Sequence, residues 1–132
     1  MTEPNTSTET TSNAWIRKFA NAFRGVGLAV RGQSSFYVHF VFAIAVVGLA
    51  AFFRVTVVEW CLLLLCMTTV LTAEAFNSAL EWMAKAVDRN HNPQLGGALD
   101  IASGAVLICA IGSAVVGLVI LVPHALKWIG WG

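Results

Sequence analysis

The sequence predicts an all-α membrane protein: one helix lying in the membrane interface, then three that cross the bilayer. Three observations carry that prediction. Of the 132 residues, 58% are hydrophobic and only 11% charged, less than half the ~25% charge of an ordinary soluble domain. The charges are also segregated, with no Asp, Glu, Lys or Arg from Gly32 to Phe53, from Trp60 to Ala73 or from Ile101 to Ala125. Runs of this kind approach or reach the ~20 apolar residues that a spanning helix needs. Ahead of the first run, aromatic and basic residues recur on opposite sides of a helical wheel.

Residues 1–13 (MTEPNTSTETTSN) are polar and Thr-rich. They lack the basic start and short apolar core of a secretory signal, and nothing in them offsets the entropy of ordering, so a disordered tail is expected. Residues 14–132 form a single membrane domain, opened by an interfacial helix over 14–32. At roughly 100° per residue, Trp15, Phe19, Phe23, Val26 and Val30 share a wedge of about 80°, and Arg17, Arg24 and Arg31 lie on the far side. Aromatics below and arginines above suit a helix in the plane of the headgroups. A plain anchor explains this pattern; because basic groups also bind phosphate, Arg17, Lys18 and Arg24 are candidates for nucleotide contacts.

The first span is expected over 35–53, followed by a tight turn at Arg54–Thr56 and a second span over 57–87. That second helix exceeds what a bilayer requires, so its charged end emerges into water. A polar loop, DRNHNPQLGG, leads to a third span over 100–122, which Asp100 opens as N-cap and Pro123 closes. Lys127, Trp128 and Trp131 then make an interfacial tail. Basic residues cluster before the first span and around the 88–99 loop. The positive-inside rule therefore puts the N-terminus and that loop in the cytoplasm and the C-terminus outside. The formal charge of +1 says nothing about partners, and no nucleic acid is expected among them. Cys61, Cys66 and Cys109 fall in apolar segments and read as small hydrophobes. His39, His91 and His124 have no metal-ligand spacing and read as structural.

Chemistry concentrates on the second span. At roughly 100° per residue, Glu74, Asn77, Glu81, Lys85 and Asp88 share one stripe about 80° wide, on a helix otherwise rich in Leu, Ala, Val and Trp. A charge at the bilayer centre costs at least ~2.5–3.5 kcal/mol, so these carboxylates need a partner, a metal or a water-filled cavity. A purely structural seam accounts for Glu81 with Lys85 at i,i+4 but leaves Glu74 and Asn77 without a reason. Carboxylates and waters are ligands that Mg²⁺ prefers, and a carboxylate accepts the proton of an attacking hydroxyl. The stripe thus has the groups for phosphoryl transfer, although not for that reaction alone. There is no GxxxxGK[ST] or GxGxxG motif, and no soluble domain for a nucleotide fold; Gly96 and Gly97 permit an unusual backbone without making a phosphate loop. Gly104, Gly112 and Gly117, with Ser103 and Ser113, suit close helix packing.

The segment Glu74-Ala-Phe-Asn77-Ser78-Ala79-Leu80-Glu81 resembles the E-x-x-N-[ST]-A-x-E signature of the prokaryotic diacylglycerol kinase and undecaprenol kinase family. Asp100 and Ser103-Gly-Ala-Val-Leu107 continue the match. Arg24-Gly25-Val26 and Phe36-x-x-His39 resemble the undecaprenol kinase branch, and the likeness covers roughly residues 14–122. It implies ATP- and Mg²⁺-dependent transfer of the γ-phosphoryl group to a membrane lipid hydroxyl, in the bacterial cytoplasmic membrane, by a homotrimer whose sites are shared between chains. Glu74 would be the general base and Glu81 a metal ligand, with Asn77 positioning groups and Asp100 supporting the nucleotide. Gln33 stands where the family has a metal-binding Glu, Lys85 where it has an Asp, and Leu99 where it has a phosphate-contacting Lys. Lys85 would then replace the lost cation and Asp88 the lost carboxylate. Two other readings use the same residues: a divergent relative with altered or lost kinase activity, and a non-enzymatic membrane subunit whose stripe lines a helix interface.

Overall fold

The structure, a computed structural model, describes residues 11–31, 34–87 and 92–131. Among these, four helices follow one another: α1 (Thr11–Val30), α2 (Ser34–Phe53), α3 (Val57–Val87) and α4 (Pro93–Trp128). The last three are each long and apolar enough to cross a membrane. At ~1.5 Å per residue, the 31 residues of α3 make a rod of about 46 Å and the 36 of α4 one of about 54 Å. Both exceed the ~30 Å hydrocarbon core, so polar ends project beyond it.

The turn between α2 and α3 is built to close both helices. Arg54 takes a left-handed conformation, φ 52°. Its N–H donates to the carbonyl of Ala51 at 3.3 Å, and that of Val55 donates to Ala50 at 3.1 Å. This pair of bonds is a Schellman cap, and Val55 and Ala50 share the buried cluster described below. Thr56 then starts α3 through a capping box: its N–H and its hydroxyl reach Glu59 Oε2 at 2.7 and 2.8 Å, and the Glu59 N–H returns to Thr56 Oγ1 at 3.4 Å.

The third span departs from expectation at both ends. Asn92 is the N-cap, its side chain accepting from the N–H groups of Gln94 and Leu95 at 3.0 and 3.3 Å, and Pro93 occupies the first turn, where its missing N–H costs nothing. Asp100 consequently lies in the second turn and caps nothing, and Gly96 and Gly97 are ordinary helix. Nor does Pro123 end the helix; it lies inside it. One lost bond is cheaper in lipid than the further unsatisfied carbonyls that stopping there would leave. Likewise α1 begins at Thr11, taking in the end of the segment expected to be disordered. Gln33, Asp88 and His91 lie outside the described residues.

α3 and α4 form the closest pair, α2 packs on both, and α1 leans chiefly on α3. Ala50, Val55, Leu63 and Ile120 form one buried cluster, backed by Phe53, Trp60 and Met67. It sits at the end of the bundle that holds the α2–α3 turn. There His124 on α4 meets Glu59 on α3 at 3.1 Å and stacks on Phe53, while Trp128 packs edge-on against Phe52. Midway, Ser113 Oγ donates to the carbonyl of Cys66 at 3.3 Å. The glycines of α4 need another account than packing within the chain: a Cβ at Gly104, Gly112 or Gly117 would meet nothing within 4 Å. Elsewhere the bundle presents apolar side chains outward, Phe42, Ile108 and Val119 among them, as a surface facing lipid or other apolar chains does.

Candidate active site

α3 delivers the polar stripe to the end of the bundle opposite the buried cluster. Helical spacing keeps Glu74, Asn77, Ser78 and Glu81 within two turns, and the first three are buried in the bundle. Glu74 is 2% exposed, Asn77 7% and Ser78 1%. Three atoms among them, Glu74 Oε2, Asn77 Oδ1 and Ser78 Oγ, are buried with no hydrogen-bond partner among the described residues. Each orphaned group costs ~1–3 kcal/mol. Most buried polar atoms in folded proteins are paired, so three neighbours left open mark a place meant for something else to bind.

The remaining contacts order the stripe. His39 Nε2, on α2, lies 3.2 Å from Glu74 Oε1. Asn77 Nδ2 donates to Glu81 Oε1 at 3.3 Å, and Lys85 Nζ stands 3.8 Å from Glu81 Oε2. Four residues singled out in the sequence, Glu74, Asn77, Glu81 and Lys85, therefore form a graded line from buried to exposed. Asp100 is exposed on α4, and no hydrogen bond or ion pair joins it to the stripe among the described residues. Arg17 and Arg24 are exposed on α1; Lys18 lies over the ring of Trp15, 4.9 Å from its centre.

Two residues were not anticipated here. Ser78 lies within the signature, but nothing in the pattern gives it a role. His39 read as structural, yet it is the partner of Glu74; a lone histidine inside an apolar span was the available signal, since ionisable groups at that depth are rare and mark working sites.

Two apolar clefts reach the neighbours of the buried carboxylate, His39 lining one and Ser78 the other. One, about 460 Å³, runs between α2, α3 and α4 past His39, Phe42, Met67 and Leu118. The other, about 710 Å³, lies between α1, α2 and α3 and is walled by Ala29, Phe36, Ser78 and Trp82. A buried proton acceptor whose neighbours line apolar clefts suits an amphiphile better than a soluble metabolite.

No three His, Cys, Asp or Glu side chains converge among the described residues. A self-sufficient metal cage is thus not formed by them. Glu81 with the open Asn77 Oδ1 nevertheless offers hard oxygens of the kind Mg²⁺ takes when substrate phosphates and water complete its shell.

Residues 20–121 match the family described as prokaryotic diacylglycerol kinase. An undecaprenol kinase from Bacillus subtilis (strain 168) is 29% identical over 111 residues, 84% of this chain and 90% of that one. A diacylglycerol kinase from Synechocystis sp. is 30% identical over 122 residues, 87% of this chain and 70% of that one. The matched region takes in the stripe of α3, the turn that precedes it and most of α4. A buried carboxylate with one open oxygen, on a membrane-crossing helix and inside a match of this extent, has one consistent assignment: the chain belongs to the prokaryotic diacylglycerol kinase family.

Proposed function

We propose that this lipid kinase transfers the γ-phosphoryl group of ATP to the hydroxyl of a membrane lipid, a diacylglycerol or a polyprenol such as undecaprenol. The observation that carries the reading is Glu74: a carboxylate 2% exposed, with Oε2 unpaired among the described residues, whose partner His39 lines one apolar cleft and whose neighbour Ser78 lines the other. A lipid alcohol fits such a setting, its chain along a cleft and its hydroxyl against Oε2. There Glu74 takes the hydroxyl proton as the oxygen attacks the γ-phosphorus.

The other residues sort by depth. Asn77 and Glu81 would hold Mg²⁺, which when bound neutralises charge on the ATP phosphates. Lys85, at the exposed end of the line, would meet the same phosphates. Asp100, Arg17 and Arg24 would meet the nucleotide from the cytoplasmic side, which the distribution of basic residues favours for this end of α3. Trp15, Phe19 and Phe23 of α1 are left exposed by the chain, which supports a helix seated in the headgroups of the bacterial cytoplasmic membrane.

Radiolabelled ATP and purified protein, assayed with Mg²⁺ against dispersed diacylglycerol and undecaprenol, test both the reaction and the acceptor. Glu74→Gln is expected to reduce transfer to background while the protein still inserts and unfolds as the wild type does. Normal turnover by that variant would sink the assignment.

A further inference from the structure

Glu74 and His39 belong to different helices and meet across the interface of α2 and α3. The contact divides the two oxygens of the carboxylate. Oε1 faces His39 Nε2 at 3.2 Å; Oε2 is buried and open. An ionised carboxylate only accepts hydrogen bonds, so the ring nitrogen facing it carries a hydrogen, in the neutral and the cationic imidazole alike. The terminal torsion of a glutamate is broad and roughly two-fold. Without an anchor on Oε1 the carboxylate plane is therefore poorly fixed, and both oxygens compete for whatever donor arrives. Around this contact the wall of the cleft is apolar, Val38, Phe42 and Val70 included, so packing of α2 on α3 gives no reason for a polar ring at this place.

We infer that His39 is a positioning residue for the phosphoryl transfer: it pins Oε1 so that Oε2 is the oxygen presented to the lipid hydroxyl. The inference rests on the reading of Glu74 as general base. In the step, the hydroxyl O–H bond breaks and its proton passes to Oε2. The hydroxyl oxygen bonds to the γ-phosphorus, and the bond from that phosphorus to the bridging oxygen breaks, its electron pair leaving with ADP. His39 neither gains nor loses a proton and touches neither reactant; its contribution is the orientation of the base, which a misplacement of an ångström undoes.

Three proteins separate this role from a structural one. His39→Leu should lower kcat about ten- to a hundredfold, the worth of a hydrogen bond to a charged group, with KM for ATP and for the lipid unchanged. His39→Gln, which keeps an N–H donor on α2, should recover most of the loss. An unchanged kcat in His39→Leu, equal losses in both variants, or a change confined to KM would overturn the positioning role. Absence of transfer by the wild type would instead overturn the kinase reading itself. Should His39→Leu not fold, ¹⁵N-histidine spectra read the contact directly. The Nε2–H signal of the wild type, assigned by its absence in His39→Gln, should move in Glu74→Gln, and an unmoved signal counts against the inference.

Discussion

Lys85 stands where two roles compete. Its ammonium lies 3.8 Å from Glu81 Oε2, on a side chain 74% exposed. In water such an i,i+4 pair contributes only ~0.3–0.5 kcal/mol, whereas a charge-assisted contact to a phosphate contributes ~1.5–3 kcal/mol. Lys85→Ala should accordingly raise the KM for ATP about tenfold or more and leave the thermal midpoint within error. An ATP titration that superposes on the wild type would reduce Lys85 to its surface pair. At this scale the sequence was informative wherever one helix does the placing. Glu74, Asn77, Glu81 and Lys85 share a stripe by periodicity alone, and the structure brings them together. His39 was illegible because its partner is 35 residues away on another helix, and the register of α2 on α3 is decided by packing that no local pattern encodes. The pairing of His124, read as structural, with Glu59 was illegible for the same reason.

Elements were legible where their ends are chemical events. The turn at Arg54–Thr56 separates α2 from α3, and the charge-free runs outline both. The ends of α4 were misread because Asp100 and Pro123 carry the right residue types in the wrong setting. Asn92 with Pro93 is the stronger start signal, Asn92 lying eight residues before Asp100, and a proline inside a lipid-facing helix costs less than an early stop. The α2–α3 turn carries its own prediction. Arg54 holds a positive φ that costs a non-glycine residue roughly 1–2 kcal/mol, and Gly adopts it freely. Arg54→Gly should stabilise the protein by about 1 kcal/mol, somewhat less than the strain because the unfolded glycine is freer. Thermal unfolding in detergent measures it. A lowered midpoint would mean that the guanidinium itself holds the turn.

At the scale of the whole molecule, one chain is an incomplete shelter. Three polar atoms remain open around Glu74, large apolar side chains face outward on every spanning helix, and a Cβ added at the α4 glycines would meet nothing within 4 Å. Small residues in membrane helices let backbones approach closely, and a neighbouring chain could use these. These features suit a neighbouring chain, and the number three comes from the family resemblance: we propose a homotrimer whose chains complete one another's sites. Native mass spectrometry in mild detergent, with activity followed on the same sample, tests this; a stable monomer with full turnover would refute it.

The buried cluster around Leu63 lies roughly 16 Å along α3 from Glu74, eleven residues at ~1.5 Å each. Ala50, Val55 and Ile120 join Leu63 there, and the Glu59–His124 pair and the stacked rings close the same end. At the end that carries the polar stripe the buried side chains among the described residues are largely polar, Glu74, Asn77 and Ser78 beside Phe36 and Val70, and the His39–Glu74 contact joins α2 to α3. Local opening is easiest where few apolar contacts must break, so the bundle is expected to act as a pair of tongs, riveted at the turn and opening at the tips. A long-chained alcohol sliding in sideways from the bilayer would part the tips without loosening the rivet, and the helices would close behind it on release.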